Sequence, residues 1–571
     1  FRSGDISGAK AILDKLYLEN PKDIMTLKRQ VFVSERSGDK QGVQKYSEEL
    51  LSVEDSALNR LNQVQNFLKA GLVAEAQKKL ESYKEKYPKE LKSDALLLEA
   101  WVAKDQGKLE KALDLTNQSL GINPDNAIGL RVRGEIEISQ GEYSQAIPDL
   151  QSSYSKSQDL DTRVKLAYAY YRANRNEDAI SELVSIIKGS QENVGARTLL
   201  EGIYSKLGRV KELSRLYEET LQRYPNDVTW HNKAGAFALN SGQLENGEKL
   251  YKQSLEISQQ KNGDSLDGYL NALNKSKKWA MVLEEGRKYT DGDLGFIAYL
   301  RMSEARIGLG DRPSAIELCK KAIEKAGSNE NILELVLQRI SGLLNKEEVR
   351  AFCDGILRAS PNSIAANFTM YNLAKDNGEY NNSANYMDKC ISSVEAGSPQ
   401  WVNLTAKKAI LMQLAYQKTT DNNYLEKAVF LYKSLLEKLP NNTGVLNNLA
   451  YLLVEDVKRI DEALGYAKRA YDQDRNNPNI MDTYGYVLFK KGELDKAVEL
   501  IQAAAQQYER DNVSAEWDVY EHLGMVKEAL KTEQSLIQAV AAYKKAIETG
   551  SGQMPDQAKK RIEEALKRLS R

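Results

Sequence analysis

Residues 107–146 read GKLEKALDLTNQSLGINPDNAIGLRVRGEIEISQGEYSQA, and two chemical signals recur inside them. Gly107 is followed five positions later by Ala112, and the same pairing returns in Gly141 and Ala146. Pro124 stands midway between the two glycines. Glycine accepts the left-handed backbone that closes a helix, and proline lacks the amide hydrogen that would carry the next helix on. Each period therefore holds two helices. The alanine lets the second approach the first closely, while Leu109, Ala112, Leu113 and Leu120 form an apolar stripe at helical spacing.

Working outward, the register holds in both directions. Starting from Gly4, anchors at Gly38, Gly71, Gly107, Gly141, Asn174, Gly208, Gly242, Lys275, Gly310, Leu344 and Gly378 keep a nearly constant spacing. The small residue recurs at Ala76, Ala315 and Ala497, whereas Leu213 and Gly247 stand where alanine is expected. Prolines give an independent phase, since Pro21, Pro88, Pro225, Pro361 and Pro440 each fall as far past an anchor as Pro124 falls past Gly107. Pro313 suits a first helical turn, and Pro148 lies slightly deeper, where a kink is expected. The register breaks twice: Asn423, the anchor after Gly378, and Gln534, the anchor after Gly492, each arrive roughly two to three helical turns late. The first insertion, GSPQWVNLTAKKAILMQLAYQKTTDNN (397–423), reads as a longer first helix with an extended turn. The second, around EHLGMVKEALKTEQSL (521–536), reads the same way. This divides the chain into a continuous array over 1–396, an array with two lengthened repeats over 397–554, and a charged amphipathic capping helix over 555–571. The repeats around Lys275 and Leu344, which lack the turn glycine, are the expected soft joints.

Composition narrows the function. The 80 Lys+Arg and 81 Asp+Glu are interspersed, so neither the basic excess of a nucleic-acid binder nor an acidic tail is present. No stretch reaches the roughly 18 uninterrupted apolar residues of a spanning helix. Cys319, Cys353 and Cys390 are too few and too far apart for a disulfide framework, and none makes a C-x-x-C pair. Cys319 and Cys353 fall at equivalent positions of consecutive repeats, where core packing is the plain reading. His231 and His522 are the only histidines and lie in distant repeats, so a histidine-based metal or acid/base site is not expected. Phosphate-loop, nucleophile-elbow and dinucleotide signatures are absent. The reading is of no enzyme, no cofactor and no metal. The opening residues, Phe1 to Asp5, look like the turn inside a helix pair, so upstream sequence is expected to be missing.

The period of about 34 residues, the glycines Gly134, Gly235 and Gly485 at the eighth position, the turn glycine, the alanine and the terminal proline resemble the tetratricopeptide repeat family over nearly the whole chain. The resemblance implies an all-α, right-handed superhelical α-solenoid of about sixteen antiparallel helix pairs, the first incomplete. It also implies binding on a concave surface lined by the second, fifth, ninth and twelfth positions of each first helix. Counting from the anchors, the candidate residues are Trp101 and Lys104, then Arg131 and Glu135, then Tyr168 and Tyr171. Further along come Asn232, Asn448, Asp482, Tyr486 and Phe489. Aromatics interleaved with amides and charges suit an extended peptide or a polysaccharide. The family's lysine–asparagine grip on acidic chaperone tails is missing, because the corresponding pairs are Leu61 and Gln65, Leu97 and Trp101, Arg131 and Glu135, Val164 and Tyr168.

Residues 439–504, with NNLAYLL at 447–453, resemble the C-terminal repeats of large bacterial envelope tetratricopeptide proteins of exopolysaccharide export and exosortase-linked sorting. This implies a non-catalytic protein-interaction scaffold in the periplasm or at the envelope. It would organise a secretion or surface-assembly machine within a larger complex of protein partners. A cytoplasmic peptide-binding adaptor and the recognition arm of a larger enzyme, such as a glycosyltransferase, are the alternatives.

Overall fold

The computed structural model describes residues 6–90, 92–189, 193–510, 516–550 and 554–570. Thirty-two helices run through them, and no strand occurs among the described residues. After Ile6–Glu19, first and second helices alternate until Asp556–Leu569. The count agrees with about sixteen pairs. The chain divides into two units, residues 1–210 and 211–571, each built from helices that fold back on one another in sequence order. Gly4 lies outside the described residues.

The turn glycines do what their chemistry requires. Gly107 and Gly141 have φ of 75° and 82°, and the residue after each reaches back across the helix end: the Lys108 amide donates to the Ala103 carbonyl at 2.9 Å and the Glu142 amide to Glu137 at 2.8 Å. Asn174, at φ 61°, closes its helix the same way. Lys458, at φ 58°, takes the same left-handed conformation.

Four anchors differ from the expectation. The left-handed residue is Lys277 in place of Lys275, Thr420 in place of Asn423, and Lys531 in place of Gln534. At Leu344 the backbone is extended (φ −113°), and Asn345 begins Lys346–Ala359 with a capping box to Glu348. In the two lengthened repeats the second helices, Asn422–Lys438 and Glu533–Thr549, simply begin earlier. Their small residues, Ala428 and Ala539, are still fully buried, as Ala76 and Ala112 are. Counting thus locates the packing position in these two repeats correctly and the turn three positions late. Pro399–Thr419 is the expected long first helix, at 21 residues. Trp517–Ala529 is not: it has 13 residues, and the extra length lies in the 17-residue helices Leu494–Arg510 and Glu533–Thr549.

Pro21, Pro88, Pro124, Pro225, Pro361 and Pro440 all follow the end of a helix, Pro313 sits in the first turn of Arg312–Ala326, and Pro148 lies within the single helix Tyr143–Ser157. Eighth-position glycines mark where helices touch. A Cβ on Gly134 would stand 2.8 Å from Leu150, and one on Gly485 would stand 2.6 Å from Ile501. A second recurring contact fixes the pair at its other end. Ser119, Ser153 and Ser254, equally far past the turn glycines Gly107, Gly141 and Gly242, donate their hydroxyls to the carbonyls of Ser93 (2.8 Å), Ala127 (2.7 Å) and Val228 (3.2 Å) in the preceding first helix. Cys390 repeats the contact with its thiol, 3.6 Å from the Ile364 carbonyl.

Candidate functional site

In the first unit, the candidate residues of three consecutive first helices come together. Trp101 and Lys104 lie on Lys92–Asp105, Arg131 and Glu135 on Ala127–Gln140, and Tyr168 and Tyr171 on Leu160–Arg172, all of them half-buried. Lys104 donates to Glu135 at 2.6 Å while its ammonium lies 5.7 Å from the Trp101 ring. Arg131 stands 3.8 Å from Glu135 and 3.6 Å from Asp159. Lys165, which counting does not select, approaches Glu135 to 3.4 Å. Burial by itself would raise the Glu135 carboxyl, but Lys104, Lys165 and Arg131 together hold it below the ordinary range. On the next helix Arg172 donates to the Tyr168 hydroxyl at 2.8 Å. The result is a strip in which one ionised carboxylate is ringed by three cations and flanked by aromatic rings.

In the second unit the same counting reaches a different environment. Asn232 is engaged, donating to Asn262 at 3.3 Å and accepting from the Ser265 hydroxyl at 3.0 Å. Asn448 and Asp482 wall a cavity of about 280 Å³. The cavity lies between four consecutive first helices, Pro399–Thr419, Thr443–Glu455, Pro478–Lys491 and Trp517–Ala529, with Tyr432 entering from a second helix. Its other polar walls are Gln413, Asn447, Tyr451, Asn479, Thr483, Glu516 and Asp518. Tyr486 is not at a surface, being 1% exposed. Its ring stacks on His522 at 3.8 Å between centroids, and its hydroxyl donates to Glu455 at 2.5 Å. Phe489, half-buried, packs 6.2 Å from Tyr486.

His522, from which the sequence leads to no expected site, is fully enclosed and 2.9 Å from the Asp482 carboxylate, 40 residues away in the chain. Burial opposes its positive charge, but Asp482, Asp518 and Glu521 outweigh that and raise its pKa. Asp518 is pushed up to about 6, first by burial and then by Asp482. Beside them the buried Glu521 receives two hydrogen bonds from Arg561 of the last helix, at 2.6 and 2.8 Å. A lone histidine carries no sequence signal for such a partner; only the lengthened repeat brings the two together.

The remaining candidates are structural. His231 is buried with its ring nitrogen 2.9 Å from the Asp227 carbonyl. Cys319, Cys353 and Cys390 are buried and form no disulfide, and burial pushes the Cys353 and Cys390 thiols up to about 12. No group of three or more His, Cys, Asp or Glu able to hold a metal ion occurs among the described residues. No helix among them is long and apolar enough to cross a membrane.

Residues 97–161 match the tetratricopeptide repeat family. No curated protein matches the chain. Among solved structures, yeast Tom70 is similar at 15% identity and a TM-score of 0.35, over 90% of this chain and 96% of its own. The Cut9 and Hcn1 hetero-tetramer of the APC/C is similar at 12% identity and a TM-score of 0.30, over 95% and 96%. A tetratricopeptide repeat protein of Parabacteroides merdae is similar at 15% identity and a TM-score of 0.30, over 50% of this chain and 100% of its own. The 97–161 match includes Trp101, Lys104, Arg131 and Glu135 and ends before Lys165, Tyr168 and Tyr171. Tetratricopeptide repeats are thus identified at residues 97–161.

Proposed function

We propose that this chain is a non-catalytic scaffold that holds protein partners along the first helices of its repeats, and that it organises a bacterial envelope secretion or surface-assembly complex. The strip around Glu135 supports the binding role. Its charges are already oriented by one another through Lys104, Arg131 and Lys165, and Trp101 and Tyr168 offer half-exposed faces beside them. An extended peptide laid across it would meet hydrogen-bond donors, an acceptor and stacking surfaces without ordering flexible side chains first, which is one of the costs of association. The envelope setting is supported by the resemblance of residues 439–504 alone.

A photo-crosslinking amino acid tests both parts. Placed at Trp101 or Tyr168 in cells, it should capture a discrete protein from the envelope fraction. Placed at Lys111, exposed on the second helix Leu109–Ile122, it should not. Equal capture at both faces would refute the binding surface, and capture of a soluble cytosolic partner would refute the envelope setting.

A further inference from the structure

We propose that the cavity among the first helices of the C-terminal repeats is a receptor for a single ammonium or guanidinium group, carried on a basic side chain of a partner's peptide. This rests on the reading of the chain as a protein-binding scaffold and names what one of its subsites recognises.

The walls are rich in acceptors and hold three carboxylates, Asp482, Glu516 and Asp518, with no lysine or arginine among the lining residues. Asp482 is 5% exposed; one of its oxygens meets His522, while Oδ1 is buried without a hydrogen-bond partner. The amide oxygen of Asn447, in the same wall, is also buried and unpartnered. Buried acceptors left open carry a desolvation penalty that a donor removes, so these oxygens mark where a ligand's N–H groups belong. The chain's own nearby cations leave these oxygens open: His522 meets only the other oxygen of Asp482, and the guanidinium of Arg561 is taken by Glu521 at 2.6 and 2.8 Å.

The ligand's size and type follow from the same walls. About 280 Å³ lies just below the roughly 300–1,000 Å³ of ordinary small-molecule sites and suits one long side chain. Ile410, Val519 and the rings of Tyr432 and Tyr451 provide apolar surface for a methylene stem, and aromatic faces also favour a cationic head. A bare metal ion does not fit, since the described carboxylates form no metal-holding group. A carboxylate or phosphate would face three like charges.

The test uses the whole chain and pentapeptides Ac-Gly-Gly-X-Gly-Gly-amide, with X lysine, arginine, acetyl-lysine or norleucine, followed by calorimetry. Lysine or arginine peptides should bind at least tenfold more tightly than the two neutral ones. Asp482→Asn and Asp518→Asn should each weaken binding at least tenfold, while Glu110→Gln, exposed on the second helix Leu109–Ile122, should leave it unchanged. A second variant is independent of added ligand. Ile410 is 49% exposed at the wall, so Ile410→Lys should deliver a tethered ammonium, raise the thermal midpoint and abolish peptide binding. Equal binding of norleucine, no binding of any peptide, or an Ile410→Lys chain that still binds the lysine peptide would overturn the proposal. Should crosslinking at Trp101 and Tyr168 persist alongside such a result, only this subsite fails; should both fail, the scaffold reading fails with it.

Discussion

Two carboxylates on first helices of the second unit, Asp267 and Asp482, are held in opposite ways. Asp267, on Gly263–Lys275, receives two hydrogen bonds from Arg301 on Gly295–Gly308, both at 2.9 Å, and two from Arg339 on Glu330–Leu343, at 2.9 and 2.7 Å. Burial would raise its carboxyl, yet the two guanidinium groups keep it below its usual value. Arg301 is itself 8% exposed and also donates to Asn271 at 3.1 Å and Glu304 at 2.8 Å. Asp482 has one partner, His522, and an open oxygen. The saturated cluster sits where the sequence is most degenerate, around Lys275 and Leu344, and the unsaturated one joins the regular repeat of Asp482 to the lengthened repeat of His522. Sequence regularity thus reports backbone geometry, while the polar side chains decide whether three repeats are tied together or a binding acceptor is left over.

The largest expected effect breaks the tie. Arg301→Ala leaves Asp267 with Arg339 alone, leaves Glu304 with Asn274 and removes the donor to Asn271. Removing one member of a buried, hydrogen-bonded ion pair costs about 3–5 kcal/mol. Hydrogen exchange should show the amides of Leu266–Leu273 and Val336–Ile340 opening together at lower free energy, while those of Val445–Val454 stay as protected as before. Should the 266–340 amides exchange as in the parent, these repeats are held by apolar packing alone and the clasp contributes nothing.

Next comes pH, where the two clusters should respond with opposite sign. The folded Asp518 carboxyl sits at about 6, above its ordinary value of 3.8. The unfolded chain therefore releases that proton first as pH rises, and the stability from the protonated form, present below about pH 4, is lost through pH 6. His522, raised as well, loses its contribution as pH climbs past its folded value. The groups facing Asp518 are Asp482, Glu516 and His522. With about 1.36 kcal/mol per pH unit, Asp518 alone accounts for at most about 3 kcal/mol. Asp267, being lowered, contributes stability that is present above about pH 4 and is lost only in acid. From pH 5 to pH 8 the opening free energy of residues 478–491 should fall while that of 263–275 holds level. A parallel change in both would show that the Asp482 cluster is not distinct.

These contrasts explain how far the sequence can be read. Gly107, Gly141 and Gly492 announce their turns because glycine is the residue that takes a left-handed backbone without strain. Lys277, Thr420 and Lys531 take the same backbone without a residue type that marks it, so counting misses them. Ala428 and Ala539 are nonetheless in register, because close helix packing demands a small side chain whatever the turn is made of. At the candidate site, Asn448 and Asp482 follow from register alone. Tyr486 does not: it occupies the position Tyr168 holds in the first unit, but the stacked ring of His522 and the Glu455 contact enclose it. Asp518 and His522 come from a repeat displaced by an insertion, where counting has no purchase.

The smallest effect concerns the backbone beneath the two carboxylates. Gly268 follows Asp267, and a Cβ there would fall 2.1 Å from the ring of Tyr251, which is also 2.8 Å from the Cβ position of Gly235. That ring is wedged between two first helices and has little room to retreat. Gly485 lies three positions after Asp482, and its added Cβ would meet Ile501 at 2.6 Å and the Ala497 carbonyl at 3.2 Å. Gly268→Ala and Gly485→Ala should each cost about 1–3 kcal/mol through overpacking, despite alanine's better helix propensity. Gly202, with open space where its Cβ would go, is the control. Gly202→Ala should stabilise by up to about 1 kcal/mol. Chemical denaturation of the three variants decides the matter. If Gly268→Ala proves neutral while Gly485→Ala is costly, then the Tyr251 wedge yields, and the degenerate repeats owe their order to the Asp267 clasp more than to close helix contact.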